Sequence, residues 1–335
     1  MDPVNVLRQI ALHLERTGEP TYRVRAFRNA AAVAADLPDG ELARRVSQGT
    51  LTELPGIGRT TAGVIAEAVQ GREPAYLTDL ESRGAPGIPD GGPLHAALRG
   101  DCHTHTDWSD GGSSVEEMAE AARNLGHEYL VITDHSPRLT VANGLSADRL
   151  RRQLDVVAEC RERVAPLRIL TGIEVDILDD GSLDQDPDLL ERLDVVVASV
   201  HSKLRMPAVE MTERMLTAVA NPRVNVLGHC TGRLVSGRGR PESEFDAERV
   251  FAACRDHDVA VEINSRPERL DPPRRLLRLA QEAGCRFAVD TDAHAPGQLS
   301  WLPFGCARAG ECGVTADRVV NTWTADDLTA WAARR

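Results

Sequence analysis

The sequence predicts an α/β barrel of about seven strand–helix repeats preceded by a small all-α domain, and three observations predict it. After residue 100, short runs rich in Val, Ile and Leu alternate with longer amphipathic stretches, the pattern of parallel strands joined by crossover helices. Before residue 84, apolar residues recur at helical spacing. Histidine, aspartate and glutamate fall near the C-terminal ends of the strand candidates, the face on which β/α barrels build their sites.

Val4, Leu7, Ile10, Ala11 and Leu14 mark a first helix, and the Ala-rich 21–37 a second. "LTELPGIGRTTAGVIAEAVQG" (51–71) predicts a short helix, a tight Pro-Gly-Ile-Gly turn and another helix. Residues 84–99 concentrate Gly and Pro and are expected to be a linker. The domains are therefore 1–83, 84–99 as linker, and 100–335. Strands are expected at 101–105, 129–135, 168–177, 195–202, 224–230, 260–265 and 286–294, with helices at 114–125, 147–163, 208–220, 246–257 and 273–283 between them.

A net charge of −12 excludes coating of nucleic acid by bulk electrostatics, so any such contact must be local. The seven cysteines are an odd count with no CxxC pair, which fits reduced structural thiols rather than a disulfide framework or a thiolate zinc ribbon. No apolar run approaches the ~20 residues of a membrane span, and no basic-plus-apolar signal opens the chain. The expected location is cytoplasmic, with no membrane partner, and no protein partner is inferable.

In "DCHTHTDWSDGG" (101–112), His103 and His105 stand two apart, so an extended segment points both the same way. Asp110 follows just before Gly111 and Gly112. His135, Glu174, His201, His229, Asp292 and His294 close later strands. Six of the ten histidines belong to this set, while His13, His95, His127 and His257 fall in helices, the linker or a helix end. Nine N/O donors without a thiolate are too many for one tetrahedral zinc. Shared among two or three divalent transition-metal ions they suit zinc, manganese or iron.

In that order, "DCHTHTDWSDG", "ITDHS", "GIEVDI", "SVHS", "GHCTGR", "EINS" and "DTDAH" resemble the successive motifs of the PHP (polymerase and histidinol phosphatase) family over roughly residues 100–320. The resemblance implies a distorted seven-stranded, TIM-like β/α barrel with a trinuclear metal site for phosphoester hydrolysis. By similarity His103, His105, Glu174 and Asp292 hold one ion. Glu174, bridging, with His201 and His229 holds a second, and Asp110, His135 and His294 a third. Asp110 looks like the version attached to bacterial family X DNA polymerases. "PTYRVRAFRNAA" and "LPGIG" resemble the N-terminal helix-hairpin-helix domain of those polymerases. That likeness implies DNA docking through Gly56, Gly58 and Arg59, flanked by Arg23 and Arg28; the residues alone also fit an ordinary αα-hairpin. The polymerase palm is missing. Val64 stands where a Schiff-base lysine would be needed, so neither polymerase nor lyase chemistry is expected.

Besides Glu174 and Asp292, the expected catalytic residues are Lys203 and Arg205, offsetting phosphate charge as Arg233 also could, and Asn264, orienting substrate. Glu262 is expected to support a ligand histidine. Cys102 and Cys230 are expected to pack as small hydrophobes. The expected function is metal-dependent phosphoester hydrolysis at DNA ends, as a 3′–5′ exonuclease or 3′-phosphatase. The alternatives are a small-molecule phosphatase of the histidinol-phosphate type and a non-catalytic, metal-bound DNA-binding protein.

Overall fold

Asp2 and Pro3 start the first helix. The Asp2 carboxylate accepts the amides of Val4 and Asn5, and Pro3 sits where no helical donor is lost. Helices α1 (Pro3–Arg16), α2 (Thr21–Ala35), α3 (Glu41–Gln48), α4 (Arg59–Val69) and α5 (Ala75–Ser82) enclose one core that includes Leu7, Ile10, Leu14, Phe27, Ile65 and Leu77. The short helix expected before the turn is a single 3₁₀ turn, Leu51–Glu53. Val64 is buried on α4 in this core.

The structure is a computed structural model and describes residues 1–82 and 87–334. Contacts divide the chain into two units, Met1–Ile88 and Pro89–Arg335. The boundary expected between 83 and 84 lies outside the described residues. The linker expected over 84–99 is corrected in part: Gly92–Ala97 is helix α6, with Leu94 buried in the second unit's core. The Gly and Pro residues that suggest a linker serve here as a helix start. Gly91 caps it at φ 72°, and Pro93 lies in its first turn.

Strands β1 (Gly100–Thr104), β2 (Tyr129–Ile132), β3 (Arg168–Asp176), β4 (Val195–Ser199), β5 (Val226–Leu227), β6 (Ala260–Asn264) and β7 (Phe287–Asp290) form a parallel sheet in sequence order. Helices α7 (Val115–Asn124), α8 (Ala147–Arg163), α9 (Pro187–Leu190), α10 (Ala208–Val219), α11 (Ala247–Asp256), α12 (Arg274–Glu282), α13 (Leu302–Glu311) and α14 (Ala325–Ala332) complete the unit. The barrel is nearly closed. The segment just after β7 reaches the end of β1 through a bridge, Thr104 to Ala293. Asn321 joins the seam, donating Nδ2 to Gly100 O (3.0 Å) and Val289 O (2.7 Å) while its Oδ1 accepts the Val289 amide.

Alternation along the strands separates two environments. Ile173, Val175, Val196, Ala198, Val261, Ile263, Phe287 and Val289 pack in the largest apolar core. The alternate residues Leu170, Val195, Val197, Ala260 and Ala288 share a second core with Leu328 and Trp331 of α14. Further along that second set the chain becomes polar: Glu174, Ser199, Glu262, Asn264 and Asp290 are all buried. The barrel thus has an apolar floor and a polar top.

Several strands end earlier than expected, because buried carboxylates take over as hydrogen-bond acceptors. β5 is expected over 224–230 but keeps only Val226–Leu227. Beyond it the His229 amide donates to Glu262 Oε2 at 2.5 Å instead of to a neighbouring strand's carbonyl. At the seam the Cys102 amide donates to Asp290 Oδ1 (2.8 Å) and the Thr291 amide to Asp101. His201, His229, Asp292 and His294 therefore lie just past the strands, on backbone that has left the ladder, while His135 keeps a single bridge to Glu174.

Candidate metal centre

Each strand end delivers its donors to one place. His103 and His105 come from the end of β1, where the register with β2 shifts between Asp101 and Thr104. His105 is secured by its amide on Ala293 O at 2.8 Å. Asp110 follows in a turn shaped by buried Asp134, which accepts the Thr106 amide (2.8 Å), the Ser109 hydroxyl and Gln153 Nε2 (2.6 Å). Glu174 lies in β3, and its amide bonds Thr133 O at 3.1 Å.

Four groups of donor atoms each lie within 4.8 Å of one another: His105, Asp110, His135 and His294; His103, Glu174 and His229; His103, His105 and Asp292; and His135, Glu174 and His201. All nine residues expected as ligands are present. Glu174 is at the centre, with Oε1 2.8 Å from His229 Nε2 and 3.1 Å from His201 Nε2. Its Oε2 lies 2.7 Å from His135 Nδ1, 3.4 Å from His103 Nε2 and 3.6 Å from His105 Nε2. Asp292 Oδ1 is 3.3 Å from His105 Nε2, and Asp110 Oδ1 is 3.4 Å from His294 Nε2. The groups differ from the partition implied by resemblance: His229 groups with His103 and Glu174 rather than with His201, His135 joins Glu174 and His201 as well as Asp110 and His294, His105 joins that last pair too, and Glu174 is not in the group of His103, His105 and Asp292.

The donor set fits divalent cations on its own geometry. His103 Nε2, both ring nitrogens of His105, His135 Nδ1, His201 Nε2 and Glu174 Oε2 are buried without a hydrogen-bond partner among the described residues. Close approach without hydrogen-bond geometry is the arrangement of atoms aimed at a shared centre, and buried polar atoms otherwise find partners. Nitrogen and carboxylate donors suit zinc, manganese or iron.

The electrostatics agree. Burial raises the Glu174 pKa, but the imidazoles of His201, His103 and His135 outweigh it and hold the carboxyl well below its usual range. Burial works the same way on Asp292 and is overcome by Arg269 and His105. Both carboxylates are ionised. Burial, with His294 and His135 beside it, pushes His105 well below its ordinary value, leaving a neutral imidazole. For His201 burial lowers the pKa, yet Glu174 and Asp176 lift it to about 9. Burial raises Cys102 and Cys230 well above the usual thiol range. Both are packed, protonated thiols.

Glu262 faces one of the expected ligands: its Oε1 accepts His103 Nδ1–H at 2.6 Å, which fixes the tautomer that turns Nε2 toward Glu174. Asn264 is expected to orient substrate, but it is fully buried and donates Nδ2 to Glu262 Oε2 and Asp292 Oδ2, each at 3.2 Å. It braces these two carboxylates. Lys203 and Arg205 are exposed, and Lys203 Nζ is paired with Asp179 at 2.5 Å. Arg233 is spent on the carbonyls of Arg269 (3.0 Å) and Leu270. The cations that reach the centre are instead Arg269, with Nε 3.0 Å from Asp292 Oδ2, and Arg266, with Nη1 3.0 Å from His294 Nδ1. Sequence reasoning missed both. Their signal was "EINSRPERLD", two arginines immediately after a strand end.

In the N-terminal unit, Gly56 (φ 91°) makes the turn against α2, where an added Cβ would lie 3.2 Å from Val33 Cγ2. Gly58 and Arg59 are exposed there. The Gly58 amide donates to Thr61 Oγ1 at 3.0 Å. Arg23 and Arg28 make bonds of their own within the unit. Arg23 bonds Glu19 (2.5 Å) and Tyr76 OH (2.9 Å), and Arg28 Nε bonds buried Glu15 at 2.6 Å. Both hold the helices of the unit to one another.

A family model described as a PHP domain matches residues 101–266, and one described as a helix-hairpin-helix domain matches residues 1–73. The chain is 39% identical over 237 residues to the "DNA polymerase/3'-5' exonuclease PolX" of Bacillus subtilis (strain 168), covering 71% of this chain and 41% of that protein. It is 30% identical over 233 residues to a "probable phosphatase" of Thermoanaerobacter sp. (strain X514), covering 66% of this chain and 89% of the relative. A crystal structure of histidinol phosphate phosphatase from Lactococcus lactis aligns with TM-score 0.47 and 18% identity, over 65% of this chain and 95% of that one. No helix among the described residues is long and apolar enough to cross a membrane. The chain belongs to the PHP domain family of metal-dependent phosphoester hydrolases and carries a helix-hairpin-helix domain before the barrel.

Proposed function

We propose that this phosphoester hydrolase works at DNA ends, as a 3′–5′ exonuclease or 3′-phosphatase. One observation carries the reading: a complete nine-residue donor set around Glu174 shares a chain with an exposed hairpin turn. The two ring systems nearest Glu174 Oε1, His201 and His229, would hold one divalent ion with it, and His103, His105 and Asp292 a second. Asp110, His135 and His294 would hold a third.

Bound cations supply positive charge against a phosphoryl group and lower the pKa of water. The protein's own part is positioning. Glu262 keeps the His103 tautomer, and Asn264 steadies Glu262 and Asp292. Arg269 and Arg266 add fixed cations on the side of Asp292 and His294, suited to a phosphate oxygen. Cys102 and Cys230 stay protonated, so neither is a nucleophile. The exposed backbone around Gly56 and Gly58, with Arg59, would meet a DNA phosphate.

The relative named for a 3'-5' exonuclease supports this reading, although the chain spans only 41% of that protein. A small-molecule phosphatase is the second reading, favoured by the net charge of −12 and by the relative named a probable phosphatase. The metal-replete protein should be offered labelled single-stranded, recessed and gapped DNA beside histidinol phosphate. Release of nucleotides or phosphate from DNA ends is expected. Turnover of histidinol phosphate with DNA left intact would establish the second reading instead.

A further inference from the structure

After His229 the chain makes a small hairpin that none of the metal chemistry uses. Leu234 and Arg240 exchange backbone hydrogen bonds at 3.0 and 2.9 Å, and the Gly239 amide closes onto Ser236 O at 3.1 Å. The tip is Ser236-Gly237-Arg238-Gly239, all exposed. Gly237 and Gly239 have φ of 65° and 67°, which favours glycine, and an added Cβ at Gly237 would meet nothing within 4 Å. The backbone there is open to close approach.

The hairpin is fastened to the loop that carries the two cations of the metal centre. The Val235 amide donates to Glu268 O at 2.7 Å, and Arg233 Nε to Arg269 O at 3.0 Å. Arg240 Nε donates to Gly232 O, on the hairpin's own stem. Three of its four charged or anchoring groups are thus committed to holding it in place. Arg238 is not: it is exposed and makes no ion pair or side-chain hydrogen bond among the described residues. On the other side, an added Cβ at Gly232 would lie 2.8 Å from Leu204 Cδ2, so the stem abuts the loop that follows His201. The tip therefore stands on the rim between the loops after β4 and β6, both of which feed the centre.

An exposed guanidinium on an anchored stem, between two glycines that carry no side chain, is suited to a phosphate of an extended chain rather than to a compact ester. We propose that Arg238 and the hairpin tip bind a backbone phosphate of the DNA strand beyond the scissile bond. This rests on the DNA-end reading above and gives it a substrate class: a polynucleotide strand, distinguished from a mononucleotide by a contact outside the centre.

Arg238→Ala should be compared with the unaltered, metal-loaded full chain on a short single-stranded deoxyoligonucleotide and on bis-p-nitrophenyl phosphate, across a range of salt. The expected result is a fall of about tenfold in kcat/KM on the oligonucleotide, mostly through KM. The slope of log affinity against log salt should shrink by about 0.7, the value of one phosphate on a single strand. Hydrolysis of the small diester should be unchanged. An equal loss on both substrates would mean that the hairpin merely supports the centre, and no loss on either would remove the contact; both overturn the proposal. If the unaltered protein cleaves the small diester and leaves the oligonucleotide intact, the DNA-end reading itself fails, before the variant is considered.

Discussion

At the top of the barrel, His103, His105, Glu174, His229 and Asp292 are held away from water, whereas at the hairpin turn of the N-terminal unit Pro55, Gly56, Gly58 and Arg59 all face it. The two regions differ for that reason in what their chemistry requires. A polar group in the interior costs several kcal/mol unless something satisfies it, so a buried cluster of unpartnered nitrogens and a carboxylate demands an occupant. An exposed arginine beside two glycines demands nothing. The barrel site is constrained by its own burial, and the hairpin turn has to be tested by binding.

Glu174→Gln is the sharpest way to break the barrel half of that contrast. It keeps the size and removes the charge that faces up to five imidazoles. The unaltered protein should bind more than one equivalent of transition metal. The variant should lose at least one ion by elemental analysis, and its rate should fall by on the order of 10²-fold or more. Full metal content with near-normal turnover would show that Glu174 is not a shared ligand.

Glu262→Gln tests support one step removed. One amide oxygen cannot replace both carboxylate oxygens, so an NH2 group would face either His103 Nδ1–H or the His229 amide, and metal affinity should drop by roughly 10–100-fold, read by competition with a chelator. Unchanged affinity would make the 2.6 Å contact incidental.

For the hairpin turn, a chain reduced to residues 89–335 should still hydrolyse a small phosphodiester and act poorly on duplex DNA ends. Arg59→Ala in the full chain should reduce the salt dependence of duplex binding by about 0.9 of a unit, one phosphate contact. If affinity and slope are both unchanged, the turn is only a connection between helices. Arg28→Ala should behave differently from Arg59→Ala. It should cost about 2 kcal/mol of stability in the N-terminal unit, the worth of a hydrogen bond to a charged group, measured by denaturant unfolding, with little change in salt slope. The smallest effects are expected for Lys203→Ala and His257→Ala. The Lys203–Asp179 pair is exposed and worth at most about 1 kcal/mol, and His257 caps α11 away from the ligands. A tenfold loss of turnover in either would show that cations or helix ends outside the centre take part.

The barrel was legible because its two signals reinforce one another. Alternation gave the strands, and the ligand residues punctuate their ends in sequence order. Glu262 could be assigned beside a histidine from its place in "EINS", next to Asn264 at a strand end. What escaped were features set by three-dimensional approach. Asn264 looked like a substrate contact, and only the packing shows it turned inward to Glu262 and Asp292. Arg266 and Arg269 look like ordinary loop arginines until the loop folds back over Asp292. Lys203 and Arg205 follow a ligand in sequence but point to solvent. Arg23 and Arg28 fell to the same difficulty, since a helical arginine serves whichever neighbour its face meets. The Gly- and Pro-rich stretch misled more simply, because the residues that break a chain also start a helix.

The seam between β1 and β7 governs when this enzyme can exist. Asn321 closes onto Gly100 across 221 positions, and the donors at the two edges of the seam, His103 and His105 against Asp292 and His294, come from opposite ends of the barrel sequence. A chain emerging from the ribosome can form its helical unit at once, from local contacts. It cannot assemble the metal centre until residues near 321 are available, because pairing at such separation is slow and comes last. Metal captured early would be held by partial sets, so loading after closure is the orderly route to a correctly filled site.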